Sequence, residues 1–281
     1  MNAIGDWKRN NRLLLCIDSD GCAMDTMDVK HKECFGPKMV ECYGLSEYKS
    51  AVLEVWNEIN LYSLTRGTNR FIALATVLKV LESRGICNIP EPYDVLTAWT
   101  EKSRELSNPA LKAETERSKN PQLLRALHWS SEVNAAIAKL PEESGAFPGV
   151  CEALEKLSEI ADIAVVSSAN GEALASEWKK YRLDTHIGAL LGQEAGSKAF
   201  CISELLRIGG YDKSAVVMVG DAPGDLAAAE KNGVLFYPIL VGKEEFSWQR
   251  LSEEAIKKLD DGSFAGEYQD MLIKEFYANL S

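Results

Sequence analysis

The chain has 281 residues, 46% of them hydrophobic and 26% charged; that is room for one large domain or two modest ones, with a composition ordinary for a folded soluble protein and unlike a disordered one. Its 42 Asp and Glu against 31 Lys and Arg give a formal net charge of −11, which repels nucleic acid and anionic lipid and argues against a general polyanion binder. Seven scattered cysteines with no CxxC pair and three isolated histidines argue against a disulfide framework and a zinc site. No apolar run approaches the roughly 20 residues of a membrane span, and MNAIGDWKRNNR lacks a signal-peptide core, so the expected location is the reducing cytoplasm.

RLLLCI is an apolar run of strand length that ends at Asp18. Both of its faces are apolar, as in a parallel strand buried between helix layers. From Met27 to Gly145 the pattern is helical throughout. AVLEVWNEI sets Val52, Val55, Trp56 and Ile59 on one face, and RFIALATVLKVLESRG does the same with Phe71, Leu74, Leu78 and Leu81, stopped by Gly85. EPYDVLTAWTEKSREL and NPQLLRALHWSSEVNAAIAKLP each predict a further helix, the second halted by Pro141. The tryptophans at positions 56, 99 and 129 read as core of this helical segment.

In GAFPGVCEALEKLSE, Pro148 is expected to open a helix carrying Val150, Leu154 and Leu157. Strand-like and helix-like segments then alternate: DIAVVSS, GEALASEWKKYRL, IGALLGQ, SKAFCISELLRIGG, SAVVMVGD, GDLAAAEKNG and VLFYPIL. Such alternation argues for a parallel sheet with helices on both faces. The tail predicts two more amphipathic helices, one presenting Trp248, Leu251, Ala255 and Leu259. One strand near the N-terminus cannot form a sheet alone, so RLLLCI is expected to pair with the strands after Gly145. That gives an α/β core over residues 1–26 and 146–281, with an all-helical module over 27–145 inserted through GCAMDT and PEESGAFPG. Glycines in both connections suit hinges, which would let the module open and close over the strand ends.

In an open parallel sheet, ligands bind beyond the carboxyl ends of the strands. Asp18 and Asp20 follow LLLCI, Ser167 and Ser168 follow IAVV, and Asp221 follows VVMVG with Asp225 one helical turn on. Lys198 stands near the start of the helix after IGALLGQ. Clustered carboxylates with oxygen-only partners suit a hard divalent cation, most naturally Mg2+, which keeps waters and binds phosphate oxygens. Such a cation also lets a carboxylate approach a phosphoryl group of like charge. Ser167 and Lys198 would hold the phosphoryl oxygens, lysine acting as a compact point charge.

With these residues in place the sequence resembles the haloacid dehalogenase superfamily of aspartyl-nucleophile phosphotransferases. Its four motifs occur in order as DSDG, the serine ending IAVVSS, the lysine of SKAF, and GDAPGD. The resemblance covers essentially the whole sheet domain, including FPGV before the second motif, and implies a Rossmann-like core; the helical insertion matches the family's helical cap in position. By the same resemblance Asp18 would be the nucleophile forming a phosphoaspartate, and Asp20 the acid that protonates the leaving group and then the base that activates water. Mg2+ would be held by the side chains of Asp18 and Asp221 and the carbonyl of Asp20. Asp225 would orient the site, or touch the metal as in some relatives. Ser167 and Lys198 would bind the phosphoryl group, with Ser168 beside them. Cys22 and Ala199 stand where the family often has threonine and proline.

In the helical module SLTRGTNR breaks the helical pattern, and Arg66 reads equally as a substrate contact, by bidentate binding of phosphate or carboxylate, and as a surface arginine. Asp25 and Thr26 read as a helix cap at the hinge. The function these residues imply is a Mg2+-dependent phosphatase acting on a small phosphorylated metabolite. The alternatives are a sugar phosphomutase of the same superfamily and, in another class, a non-catalytic phosphoaspartate regulatory or binding protein. No nucleic-acid or membrane partner is expected, and nothing in the sequence sets the oligomeric state.

Overall fold

A computed structural model describes residues 4–89, 93–103, 105–140 and 145–280. The helix stop expected at Pro141, residues 142–144 of the second connection, and Glu91, Pro92 and Arg104 of the third predicted helical segment lie outside the described residues.

Among those described, five strands form one all-parallel sheet: β1 Leu13–Ile17, β2 Ala161–Val166, β3 Ala189–Leu191, β4 Val216–Gly220 and β5 Leu235–Pro238, in the order β3-β2-β1-β4-β5. β1 is central. It pairs with β2 from Leu13↔Ala161 to Ile17↔Val165, and with β4 from Leu14↔Val216 to Ile17↔Val219. Its unbroken apolar run follows from burial on both faces. Leu13, Leu15 and Ile17 join one core with Val150, Leu154, Trp178 and Trp248. Leu14 and Cys16 join the other with Ile202, Leu205, Leu226 and Phe276.

The segment after β1 is helical: α1 Met27–Val29, a π-helical stretch Lys30–Phe35, α2 Gly36–Cys42, α3 Lys49–Leu61, α4 Arg70–Ser83, α5 Asp94–Lys102, α6 Asn108–Ser118 and α7 Pro121–Ile137. The predicted stripes on α3 and α4 are the buried ones. Trp56 and Trp129 meet edge to face at 5.8 Å in this core, and the Trp129 indole donates to the Phe35 carbonyl. α5 ends earlier than its sequence suggests, because Ser103 turns extended at ψ 135°.

The sheet is flanked by α8 Val150–Ser158, α9 Gly171–Lys180, α10 Lys198–Gly209, α11 Pro223–Asn232, α12 Glu244–Arg250, α13 Ile256–Asp261 and α14 Glu267–Asn279. α8 starts at Val150 and not at Pro148, since Gly149 between them is left-handed. α12 and α13 join through a π-helical turn, Leu251–Ala255, that buries Leu251 and Ala255. The chain divides into two compact units, Met1–Thr26 with Ser144–Ser281 and Met27–Glu143. Among the described residues no helix is long and apolar enough to cross a membrane.

Candidate active site

Asp18 is the first residue past β1, and its backbone N–H still donates to Val219 O at 2.9 Å. The chain then folds into a tight loop around the Ser19 carbonyl, which accepts the amides of Cys22, Ala23 and Met24. Gly21 supplies the left-handed residue the loop needs, at φ 80°. The Cys22 thiol is buried and donates to Val219 O, so a small side chain with a donor fits this place. Burial, reinforced by the Asp221 and Asp18 charges, raises its pKa and keeps it a thiol.

Two other strand ends meet Asp18. Asp18, Asp221 and Asp225 are all buried, and each offers an oxygen within 4.8 Å of the others, a grouping able to hold a metal ion. Lys198 Nζ reaches Asp18 Oδ2 at 2.7 Å and Asp225 Oδ1 at 2.5 Å. Lys198 is the first residue of α10, where the helix dipole disfavours a cation; the two carboxylates offset that. Burial acts to discharge the ammonium, yet Asp18 and Asp225 outweigh it and hold the lysine protonated far above its ordinary range. The Asp18 carboxyl is pushed up by burial, against the pull of Lys198, and Asp225 shifts the same way for the same reasons.

Asp225 is fixed by its own helix. At the third position of α11 its Oδ2 accepts the Ala222 amide at 3.1 Å, as in a capping box. Gly220 leaves room for this carboxylate, since a Cβ there would fall 2.2 Å from Asp225 Oδ2.

Ser167 is buried just beyond β2, at the same carboxyl end of the sheet as Asp18 by the Ile17↔Val165 register. Its N–H donates to Leu191 O and its Oγ accepts the Ala169 amide. Asn170 caps α9, while Glu194, from the loop after β3, accepts from Asn170 Nδ2 at 2.7 Å and Gly171 N at 2.9 Å. The loop bearing Ser167 is thereby tied to the one leading to Lys198. Ser168 is exposed.

Asp20 is partly exposed and its side chain is not in the carboxylate trio. Its Oδ1 accepts a 2.6 Å hydrogen bond from Thr26 Oγ1. Thr26 is buried and thus orients a candidate catalytic carboxylate, a contact the helix-cap reading did not anticipate; Asp25 is exposed and gives its N–H to Gly145 O. Arg66 belongs to the helical unit. It is buried and donates Nη1 to Leu61 O at 2.9 Å, so the surface reading does not hold.

A central strand flanked by parallel neighbours, with carboxylates and a lysine gathered past the strand ends, defines an α/β enzyme-type site on a Rossmann-like sheet. The chain belongs to the haloacid dehalogenase-like hydrolase family, whose model matches residues 84–239. No curated protein matches it. Among solved structures it is similar to a phosphoglycolate phosphatase candidate from Lactobacillus delbrueckii subsp. bulgaricus, at 15% identity and TM-score 0.49 over 81% of this chain and 85% of that one. It is also similar to a haloacid dehalogenase-like hydrolase from Streptococcus pneumoniae (13%, 0.42, covering 84% and 90%). A third is the L-2-haloacid dehalogenase of Xanthobacter autotrophicus (14%, 0.41, covering 96% and 88%).

Proposed function

We propose that the protein is a Mg2+-dependent phosphatase that hydrolyses a small phosphorylated metabolite through a phosphoaspartate on Asp18. The observation that carries this reading is the buried group of Asp18, Asp221 and Asp225 around the Lys198 ammonium. With all three carboxylates ionised, these four groups sum to two negative charges in a place shielded from water, which a hard divalent cation with oxygen ligands neutralises. The donor set fits Mg2+. Asp18 and Asp221, joined by Asp225 or by the Asp20 carbonyl, would hold it, and when bound it would offset charge on the transferring phosphoryl group.

The chain's own residues then account for both half-reactions. An Asp18 carboxylate oxygen attacks phosphorus as the ester P–O bond breaks, and Asp20 gives its proton to the departing alkoxide. Asp20, now a carboxylate, takes a proton from water as that water attacks phosphorus, and the bond from phosphorus to Asp18 breaks to release inorganic phosphate. Ser167 and Lys198 hold phosphoryl oxygens. The Thr26 hydrogen bond fixes the direction of the Asp20 carboxyl. An alkoxide needs this proton and a halide does not, so a carboxylate at position 20 favours phosphate esters over haloacids as substrates.

The test is release of phosphate from p-nitrophenyl phosphate and a panel of phosphorylated metabolites with Mg2+, run beside halide release from haloacids. Hydrolysis of esters that EDTA abolishes, and that Asp18→Asn lowers by at least about 1,000-fold, is the expected result. Halide release without ester hydrolysis, or full activity in freshly purified Asp18→Asn, would refute it.

A further inference from the structure

We infer that Trp178 is a positioning residue: through its hydrogen bond to Ser19 it holds the loop that carries Asp18 and Asp20 in the shape both aspartates need. For its kinetic consequence, the inference rests on the phosphatase reading. The indole Nε1 donates to Ser19 Oγ at 2.9 Å, and neither residue is exposed to solvent. Ser19 is the hub of the loop. It lies between the two aspartates, and its carbonyl gathers the amides of Cys22, Ala23 and Met24.

A second indole, Trp248 of α12, donates to Cys22 O at 2.9 Å and fixes the far side of the same turn. The loop therefore takes its shape from side chains 159 and 226 residues away in the chain. A phenyl ring at either place would leave part of the buried space unfilled and would lack the N–H, so Ser19→Ala, which removes the hydrogen bond and keeps the indole, separates the bond from the packing.

Trp178 also relates two parts of the site. It lies near the end of α9, whose first turn is capped by Asn170, three residues after Ser167. One helix of 10 residues thus sets the distance between the loop that would supply the nucleophile and the turn that would bind the phosphoryl group. Misplacement of a reacting group by about 1 Å can cost roughly 100-fold in rate, so a loosened loop should show first in turnover.

The experiment compares Trp178→Phe, Ser19→Ala and the double variant, using Mg2+ and p-nitrophenyl phosphate, with amide hydrogen exchange at residues 22–24. Each single change is expected to lower kcat by about 10- to 100-fold and to alter KM by less than about threefold. The double should fall no further than the worse single, because both remove one shared interaction. Exchange at residues 22–24 should quicken in all three. Tyr211→Phe serves as the stability control: it deletes the buried hydrogen bond from Tyr211 to Asp162, near the start of β2, and should lower thermal stability while keeping kcat.

Unchanged exchange, wild-type kcat in both singles, or losses that multiply in the double would each overturn the inference. If the unaltered protein hydrolyses no ester, the phosphatase reading fails, and the exchange rates alone decide whether Trp178 holds the loop.

Discussion

A Cβ placed on Gly220 would sit 2.2 Å from one carboxylate oxygen of Asp225 and 2.3 Å from its carboxyl carbon. Gly220 is the last residue of β4, and its carbonyl accepts the Ile239 amide, so the backbone is held and the carboxylate would have to move. Asp225 in turn holds Lys198 and the start of α11. Gly220→Ala is therefore expected to leave a folded protein whose kcat is at least about 10-fold lower, measured beside circular dichroism to show that the fold is kept. Wild-type kcat would mean that the Asp225 position is not needed for turnover. At this scale the sequence already named Asp18, Asp221 and Asp225, because each follows or trails by one helical turn an apolar run that predicts a strand, and Lys198, because it stands between the second and fourth motifs at the start of a helix. The structure gathers the three carboxylates within 4.8 Å of one another, with Lys198 on Asp18 and Asp225. Ser19, Thr26, Trp178 and Trp248 were not legible as partners. Thr26 looked like a cap because threonine commonly caps helices, and an indole that reaches across 159 residues leaves no mark in local spacing.

Among the elements, β2 carries the most unusual charge. Asp162, its second residue, is buried and accepts the Asn10 and Asn11 amides at 2.9 and 3.0 Å and the Tyr211 hydroxyl at 2.5 Å. These bonds clasp the segment before β1 to the start of β2, and Arg9 extends the clasp by lying over the Tyr211 ring and donating to Gly210 O. Asp162→Ala strands the buried Tyr211 hydroxyl and two part-buried amides and should cost about 2–3 kcal/mol in urea unfolding. Asp162→Asn keeps an accepting oxygen and should cost less. Neither should change kcat, since the clasp is at the opposite end of the strands from the carboxylates. The core strands and α3, α4 and α7 could be predicted from apolar periodicity. α6 could not, because NPALKAETERS buries only Leu111 and Thr115 and its start rests on a Ser107 cap that donor geometry reveals.

For the molecule as a whole, the formal charge of −11 opposes compaction, and the buried carboxylates concentrate part of that repulsion in one place. If Asp18 and Asp221 hold Mg2+, the ion binds the folded state alone. At 100 times its dissociation constant it then adds about 2.7 kcal/mol of stability, or roughly 5–10 °C in Tm for a protein of this size. Differential scanning fluorimetry should show that rise, EDTA should reverse it, and Asp221→Asn should abolish it. A full shift in Asp221→Asn would assign the ion to another place.

The central position of β1 also sets a timetable for synthesis. Ile17 finds its partners at Val165 and Val219, so the first strand leaves the ribosome long before either neighbour exists. At about 5–20 residues per second, the wait for β2 is roughly 7–30 s. During that interval Met27–Glu143, a unit with its own core, can fold, while five apolar residues and Asp18 stay unpaired. Closing so long a loop makes sheet assembly the slow event, and the nascent chain is most open to aggregation or chaperone capture through LLLCI.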